Sequence, residues 1–229
     1  MDYVFAPPIA PSLPIAGSSA RFPLRRVFCI GRNYAEHARE MGAEVANRAA
    51  PVFFCKPADG VVGDGADVPY PSATADLHHE VEMVVALAAG GRDVPAGRAL
   101  DLVFGYGVGL DLTRRDLQAV AKARSLPWDV AKAFDHSAPV SPLRRATEIG
   151  HPARARLTLE VNGSVRQDAD IADMVFAVPE IVAELSKLFE LKAGDLIFTG
   201  TPAGVAALAR GDRFRAELAG VAVLEGRIV

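Results

Sequence analysis

Cysteine is scarce: only Cys29 and Cys55 occur in 229 residues, in apolar, strand-like surroundings and without metal-binding spacing. This favours two buried free thiols in a reducing cytoplasm over a disulfide. An excess of charge is also missing. Twenty-five Lys and Arg against 28 Asp and Glu give a formal net charge of −3, too little basic field for a nucleic-acid or polybasic membrane binder. No apolar run of bilayer-spanning length is free of charges and breakers, so no membrane span is expected. The chain starts with acidic Asp2 and is broken by Pro7, Pro8, Pro11 and Pro14, so no export signal is expected either. There is no internal repeat and no low-complexity tract. What remains is a chain of ordinary globular composition, 50% hydrophobic and long enough to bury a substantial core.

Within it, Leu77-His78-His79-Glu80-Val81-Glu82 places two acidic residues in a segment whose continuation, Met83-Val84-Val85-Ala86-Leu87, reads as a strand. Alternation on a strand points Glu80 and Glu82 to one face, about 7 Å apart along the backbone. On a solvated face such a pair is unremarked; on a half-buried face it needs a cation against desolvation and mutual repulsion. Downstream, Phe104 to Leu110 reads as a second strand that ends in Asp111. A third carboxylate there completes an all-oxygen site for a hard divalent ion such as Mg²⁺ or Mn²⁺.

Other residues hold possible chemistry. His37 and Glu40 share a helix face at a spacing that suits either a surface salt link or a general base. Lys132 lies in the otherwise apolar run Trp128 to Phe134, where an ammonium either snorkels to solvent or faces negative charge. Arg115 and Gln118 follow Asp111 on one face of an opening helix.

Residues 1–23 read as an extended arm or short strand ahead of a domain at 24–229. Arg26 to Ile30 and Val52 to Lys56 read as strands, Asn33 to Met41 as a short helix or lid, and Arg114 to Arg124 and Val178 to Phe189 as helices. Asn162-Gly163 between Leu157–Val161 and Ser164–Gln167 suits a type I′ hairpin turn. Arg213–Leu218 and Val221–Arg227, split by Gly220, form a closing hairpin. The predicted class is α+β and β-rich.

Gly31-Arg32-Asn33-Tyr34-Ala35-Glu36-His37, the Leu77–Glu82 segment, Gly109 to Gln118, Pro127 to Phe134 and Ile197-Phe198-Thr199-Gly200-Thr201-Pro202-Ala203-Gly204-Val205 together resemble the fumarylacetoacetate hydrolase family. The resemblance implies a mixed β-sandwich roll and a metal-dependent enzyme holding one Mg²⁺ or Mn²⁺ per chain on Glu80, Glu82 and Asp111. It implies His37 and Glu40 as a water-activating pair on a lid, and Lys132 as the group that stabilises an enolate. Arg115, Gln118 and Thr201 are implied as contacts to the substrate's carboxylate or keto oxygens. Lys56 and Arg32 are weaker candidates. His78 is expected behind the metal ligands, His79 in a structural place, and Asp135-His136 along the distal pocket.

Longer two-domain members carry an extra acidic ligand seven residues before the histidine; here that position is Ile30, and their large N-terminal domain has no counterpart. The chain therefore resembles the short acylpyruvate and fumarylpyruvate hydrolase branch. The implied reaction is hydrolysis of the C3–C4 bond of a 2,4-dioxo acid, with fumarylpyruvate first, in aromatic-compound degradation by a cytoplasmic homodimer. Two readings compete. One is a lyase on the same scaffold, such as an oxaloacetate or related dicarboxylate decarboxylase; the other is a non-catalytic, metal-stabilised binding protein.

Overall fold

Every residue of the strand Val81–Leu87 is buried, because the strand is covered on both faces. The computed structural model describes residues 2–40 and 50–229. Strands β1 (Arg26–Gly31), β2 (Val52–Lys56), β3 (Val81–Leu87), β4 (Val103–Leu110), β5 (Arg144–Arg145) and β8 (Asp195–Phe198) make one six-stranded sheet. Its order is β5-β4-β3-β8-β1-β2, with β8 and β1 parallel and the other pairs antiparallel. A second sheet contains β6 (Arg156–Val161), β7 (Ser164–Asp170), β9 (Arg213–Leu218) and β10 (Ala222–Ile228), in the order β7-β6-β9-β10, closed by the two-residue strand Asp67–Val68. Both hairpins read from the sequence are present. Asn162 and Gly163 take φ of 53° and 75°, the left-handed pair that a type I′ turn requires.

The sheets pack face to face. From β3, Val81, Met83, Val85 and Leu87 enter the core between them, alongside Tyr106, Val108 and Leu110 of β4 and Leu157, Leu159, Phe214 and Leu224 of the second sheet. The opposite face of the first sheet carries Val84, Ala86, Leu196 and Phe198. It is covered by Leu13, Ile15 and Phe22 from the N-terminal hairpin Ser12–Pro14/Arg21–Pro23. This is the β-rich α+β architecture expected.

Helices α1 (Ala35–Glu40), α2 (Arg115–Ala123), α3 (Asp129–Lys132), α4 (Ala146–Ile149) and α5 (Val178–Leu188) are distributed around the sheets. In α5, Val178, Ile181, Val182 and Leu185 are buried at helical spacing, each worth roughly 1.5–3 kcal/mol of burial. Of the short helix or lid expected over Asn33 to Met41, the helix is observed as α1, from Ala35 to Glu40, and Met41 lies outside the described residues. Among the described residues no helix is long and apolar enough to cross a membrane. Cys29 is buried as expected, but Cys55 is exposed, on a strand, β2, that lies at the edge of its sheet.

The glycines of β4 alternate with its core residues. A Cβ on Gly105 would lie 2.0 Å from the Arg144 carbonyl oxygen of β5, whereas one on Gly97 would meet nothing within 4 Å. Gly105→Ala is therefore expected to cost at least about 1–3 kcal/mol in urea unfolding, and Gly97→Ala to be neutral or slightly stabilising. Equal effects from the two substitutions would contradict the close β4–β5 register.

Candidate active site

Strand parity assembles the carboxylates. Glu82 shares its face of β3 with Val84 and Ala86, away from the inter-sheet core, and stands opposite Gly109 of β4. Glu80 precedes β3 rather than lying inside it, a correction to the strand reading. The Asp111 N–H donates to the Glu80 carbonyl at 2.8 Å, so the β3–β4 pairing sets these two residues side by side. Glu80, Glu82 and Asp111 are 5%, 2% and 1% exposed, and each offers an oxygen within 4.8 Å of the others.

Among the described residues, three cations reach this group. Lys132, at the end of α3, donates to Glu80 Oε2 at 2.8 Å, Asp111 Oδ2 at 2.6 Å and Thr113 Oγ1 at 2.7 Å. Lys56 Nζ lies 2.9 Å from Asp111 Oδ1 and donates to the Leu112 and Lys132 carbonyls. Arg115 donates to Glu80 Oε1 at 2.5 Å and to Gln118 Oε1 at 2.6 Å. The neighbouring Lys132 and Arg115 hold the Glu80 carboxyl far below the ordinary range despite its burial. Lys132 is held above the usual lysine range by Asp111 and Glu80, which outweigh its burial.

Glu82 is treated differently. It accepts a hydrogen bond from Gly200 N–H at 2.6 Å, and among the described residues no cation is in ion-pair contact with it. Burial, then the charges of Asp111 and Glu80, push its carboxyl well above the ordinary range. A buried carboxylate with two anionic neighbours and no counter-ion is the position a divalent cation relieves. The donor set is all oxygen, which suits a hard ion. The residues present fit such a metal.

A second wall is tied on by Asn33, which is fully buried. Its amide donates to the Thr199 and Phe176 carbonyls at 2.8 and 3.0 Å, and its side-chain oxygen accepts from Phe176 N–H at 2.7 Å. A Cβ on Gly200 would sit 2.6 Å from that of Asn33, so the glycine allows the β1 exit and the Thr199–Thr201 loop to touch. This junction starts α1 and brings His37 to the pocket that holds Glu80, Glu82, Asp111 and Lys132. His37 Nδ1 faces Glu40 Oε2 at 3.4 Å, a long contact, and Glu40 also accepts from Gly204 N–H at 3.2 Å. Burial lowers the His37 pKa below its ordinary 6.5 against the pull of Glu80 and Glu40, so the imidazole is neutral near pH 7.

Residues 26–229 match the family described as fumarylacetoacetate (FAA) hydrolase C-terminal. The chain belongs to the fumarylacetoacetate hydrolase family. It is similar to fumarylpyruvate hydrolase from Pseudomonas aeruginosa, whose crystal structure is in complex with Mn²⁺ and pyruvate. The two are 48% identical with a TM-score of 0.97, over 100% of this chain and 99% of that one. It is also similar to the mitochondrial oxaloacetate tautomerase FAHD1 of Rattus norvegicus, 41% identical over 204 residues, 89% of this chain and 91% of the relative. The Homo sapiens protein of that name is 40% identical over 197 residues, 86% and 88% of the two chains. The family's members are enzymes, and this chain has their short single-domain form.

Arg115, Gln118 and Thr201 all line the pocket of this family member, with Arg115 already committed to Glu80. The backbone amide of Gly200, next to Thr201, is given to Glu82. His78 turns to Asp76, at 2.8 Å. Asp135 and His136 do not line the distal pocket: both are exposed, in a turn where His136 has φ 61°. Burial holds His79 neutral, its pKa lowered to about 4, and its Nδ1 meets Gln167 Oε1 at 2.9 Å.

Gln167 was not legible as a site residue. Its strand β7 has exposed neighbours on either side, so it reads as a solvent-facing hairpin position. Folding buries it to 1%. Its oxygen accepts from Val81 N–H at 3.0 Å, and its amide donates to Thr201 Oγ1 and the Pro202 carbonyl at 2.8 and 2.9 Å. One side chain thus fixes the start of β3, between Glu80 and Glu82, to the Thr201 loop. Gln167→Leu should lower divalent-ion affinity about 10–100-fold, the scale for groups behind metal ligands, and destabilise the fold by about 1–3 kcal/mol for each buried partner left unpaired. Calorimetric ion titration and urea unfolding check both; unchanged affinity would make Gln167 a packing residue only.

Proposed function

We propose that this protein is a metal-dependent hydrolase that cleaves the C3–C4 bond of 2,4-dioxo acids, with fumarylpyruvate, cleaved to fumarate and pyruvate, as the first substrate. The observation that supports this most is the placement of His37, 3.4 Å from Glu40, on the same pocket as three buried carboxylates and Lys132. Held by Glu80, Glu82 and Asp111, one Mg²⁺ or Mn²⁺ per chain supplies Lewis-acid polarisation of a substrate oxygen. The Mn²⁺ and pyruvate in the Pseudomonas relative support both the ion and a pyruvyl-binding end.

In this reading His37 takes the proton of a water that attacks C4, and Glu40 orients the imidazole and stabilises its charged form. The C3–C4 bond breaks with its electron pair passing into the pyruvate enolate. Lys132 faces that developing charge with an ammonium fixed beforehand by Glu80 and Asp111. Protonation at C3 then gives pyruvate, and C4 leaves as the second acid. Arg115, Gln118 and Thr201 hold the carboxylate and keto oxygens of the pyruvyl end. The setting proposed is a homodimer in the cytoplasm, acting in aromatic-compound degradation.

A second reading, oxaloacetate tautomerisation, is favoured by the name of the FAHD1 relatives. It uses the same enolate stabilisation with proton transfer at C3 and no attacking water. Oxaloacetate decarboxylation also draws on that stabilisation without water.

A metal-supplemented turnover panel with fumarylpyruvate, acetylpyruvate and oxaloacetate separates these readings when each product is identified. Acylpyruvate hydrolysis is expected, abolished by a chelator and restored by Mg²⁺ or Mn²⁺. His37→Ala should lower it by about 10²–10⁴ and affect oxaloacetate chemistry less. Since neutral His37 is the base, kcat/KM should fall only as pH drops through a pKa below 6.5. Lys132→Met should lower kcat by about 10²–10³. Full hydrolysis by metal-free protein, or by His37→Ala, would overturn the mechanism.

A further inference from the structure

The geometry points to a second anion-binding subsite at the outer end of the pocket, where Arg32 and Lys122 take the distal carboxylate of a dicarboxylic 2-oxo acid. For the cleaved substrate this rests on the hydrolase reading, and it adds what selects the acyl end.

Both residues line the same pocket as the carboxylate group. The inner cations are committed: Lys132 to Glu80 and Asp111, Lys56 to Asp111, Arg115 to Glu80. Among the described residues, Arg32 and Lys122 have no anionic partner. Cations that line a pocket without an ion-pair partner among the described residues leave it complementary to a negative ligand group.

The helix gives the direction. Arg115, Gln118 and Lys122 occupy one face of α2, so the wall runs from the arginine on Glu80 outward to the lysine. Lys122 lies 5.5 Å from the centre of the Trp128 ring, and Trp128 stands 6.0 Å from Phe54. Both rings line the pocket, and Phe54 lies 5.1 Å from Lys132 Nζ, so the rings lead from the inner lysine to Lys122. The pocket is thus charged at the inner end, aromatic along the side and cationic at the outer end. That sequence fits an acid with a 2-oxo carboxylate head, an unsaturated or apolar middle and a second carboxylate.

Two further features agree. Burial, together with the like charges of Arg115, Arg32 and Lys132, lowers the Lys122 pKa from its ordinary value, against the opposite pull of Glu80. An anion placed there would relieve that repulsion. Arg32 holds φ at 61°, a left-handed conformation that asparagine or glycine adopts at less cost. An arginine thus stands at a position its backbone disfavours.

The test uses Mn²⁺-loaded protein and two ligands of equal chain length, 2-oxoheptanedioate and 2-oxoheptanoate. They differ only in the distal carboxylate, and neither has the 4-oxo group that cleavage needs. Calorimetry should find the dicarboxylate bound at least about tenfold more tightly by the wild type, with a preference that shrinks as salt rises. Arg32→Met and Lys122→Met should each reduce the preference by about tenfold or to the limit of none, the scale of one charge-assisted hydrogen bond. The double variant should have no preference, with thermal melting confirming that it is folded. No preference in the wild type, or full preference in the double variant, would overturn the subsite and leave Lys122 as a partner of Trp128 only. Discrimination without cleavage of fumarylpyruvate would sink the hydrolase reading and keep the subsite; cleavage without discrimination would do the reverse.

Discussion

Glu80, Glu82 and Asp111 bring carboxylate oxygens within 4.8 Å of one another at 5% exposure or less, and a protein interior does not hold such a group without positive charge. The surrounding structure is arranged around that requirement. Glu80 and Asp111 each touch two cations, drawn from Lys132, Lys56 and Arg115. Among the described residues Glu82 touches none, and the charge of a bound divalent ion is what its position calls for. The cations therefore do two things: they make the acidic group tolerable, and they leave one place in it for a metal.

The fold delivers each member from a different direction. Glu82 comes from β3, Glu80 from the residue just before it and Asp111 from the residue just after β4, Lys132 from the short helix α3, Lys56 from the edge strand β2 and Arg115 from the first turn of α2. Gly200 lets Asn33 close the β1 exit onto the Thr199–Thr201 loop, and that junction also aims α1, with His37, at the pocket. Gln167 reaches across from the second sheet to fasten β3 to the same loop. The sheets are thus more than a scaffold with loops added, because the second sheet supplies a direct brace to the site.

Much of this was legible in the residues. The Glu80–Glu82 spacing marked the carboxylate pair, although Glu80 precedes the strand rather than alternating within it, and the strand ending at Leu110 put Asp111 beside them. Asn162-Gly163 marked its hairpin, and the spacing of Arg115 and Gln118 marked one face of α2. Other features were hidden for physical reasons. Four-residue helices such as α3 and α4 are too short to show periodicity. Gln167 and Asn33 act through partners about 86 and 143–166 positions away, which no local pattern reveals. Cys55 is exposed on β2, whose place at the edge is a property of sheet order rather than of the strand's own residues.

The central claim is that the carboxylate group is a metal site completed at Glu82. Titration of Mn²⁺ into metal-free wild type and Glu82→Gln, by calorimetry or electron paramagnetic resonance, tests it most directly. The glutamine keeps the shape and an acceptor for Gly200 N–H while removing the charge. The expected result is one ion per chain in the wild type and an affinity loss in the folded variant beyond the roughly 10–100-fold seen for groups behind the ligands. Undiminished binding by Glu82→Gln, or no binding by the wild type, would contradict the account.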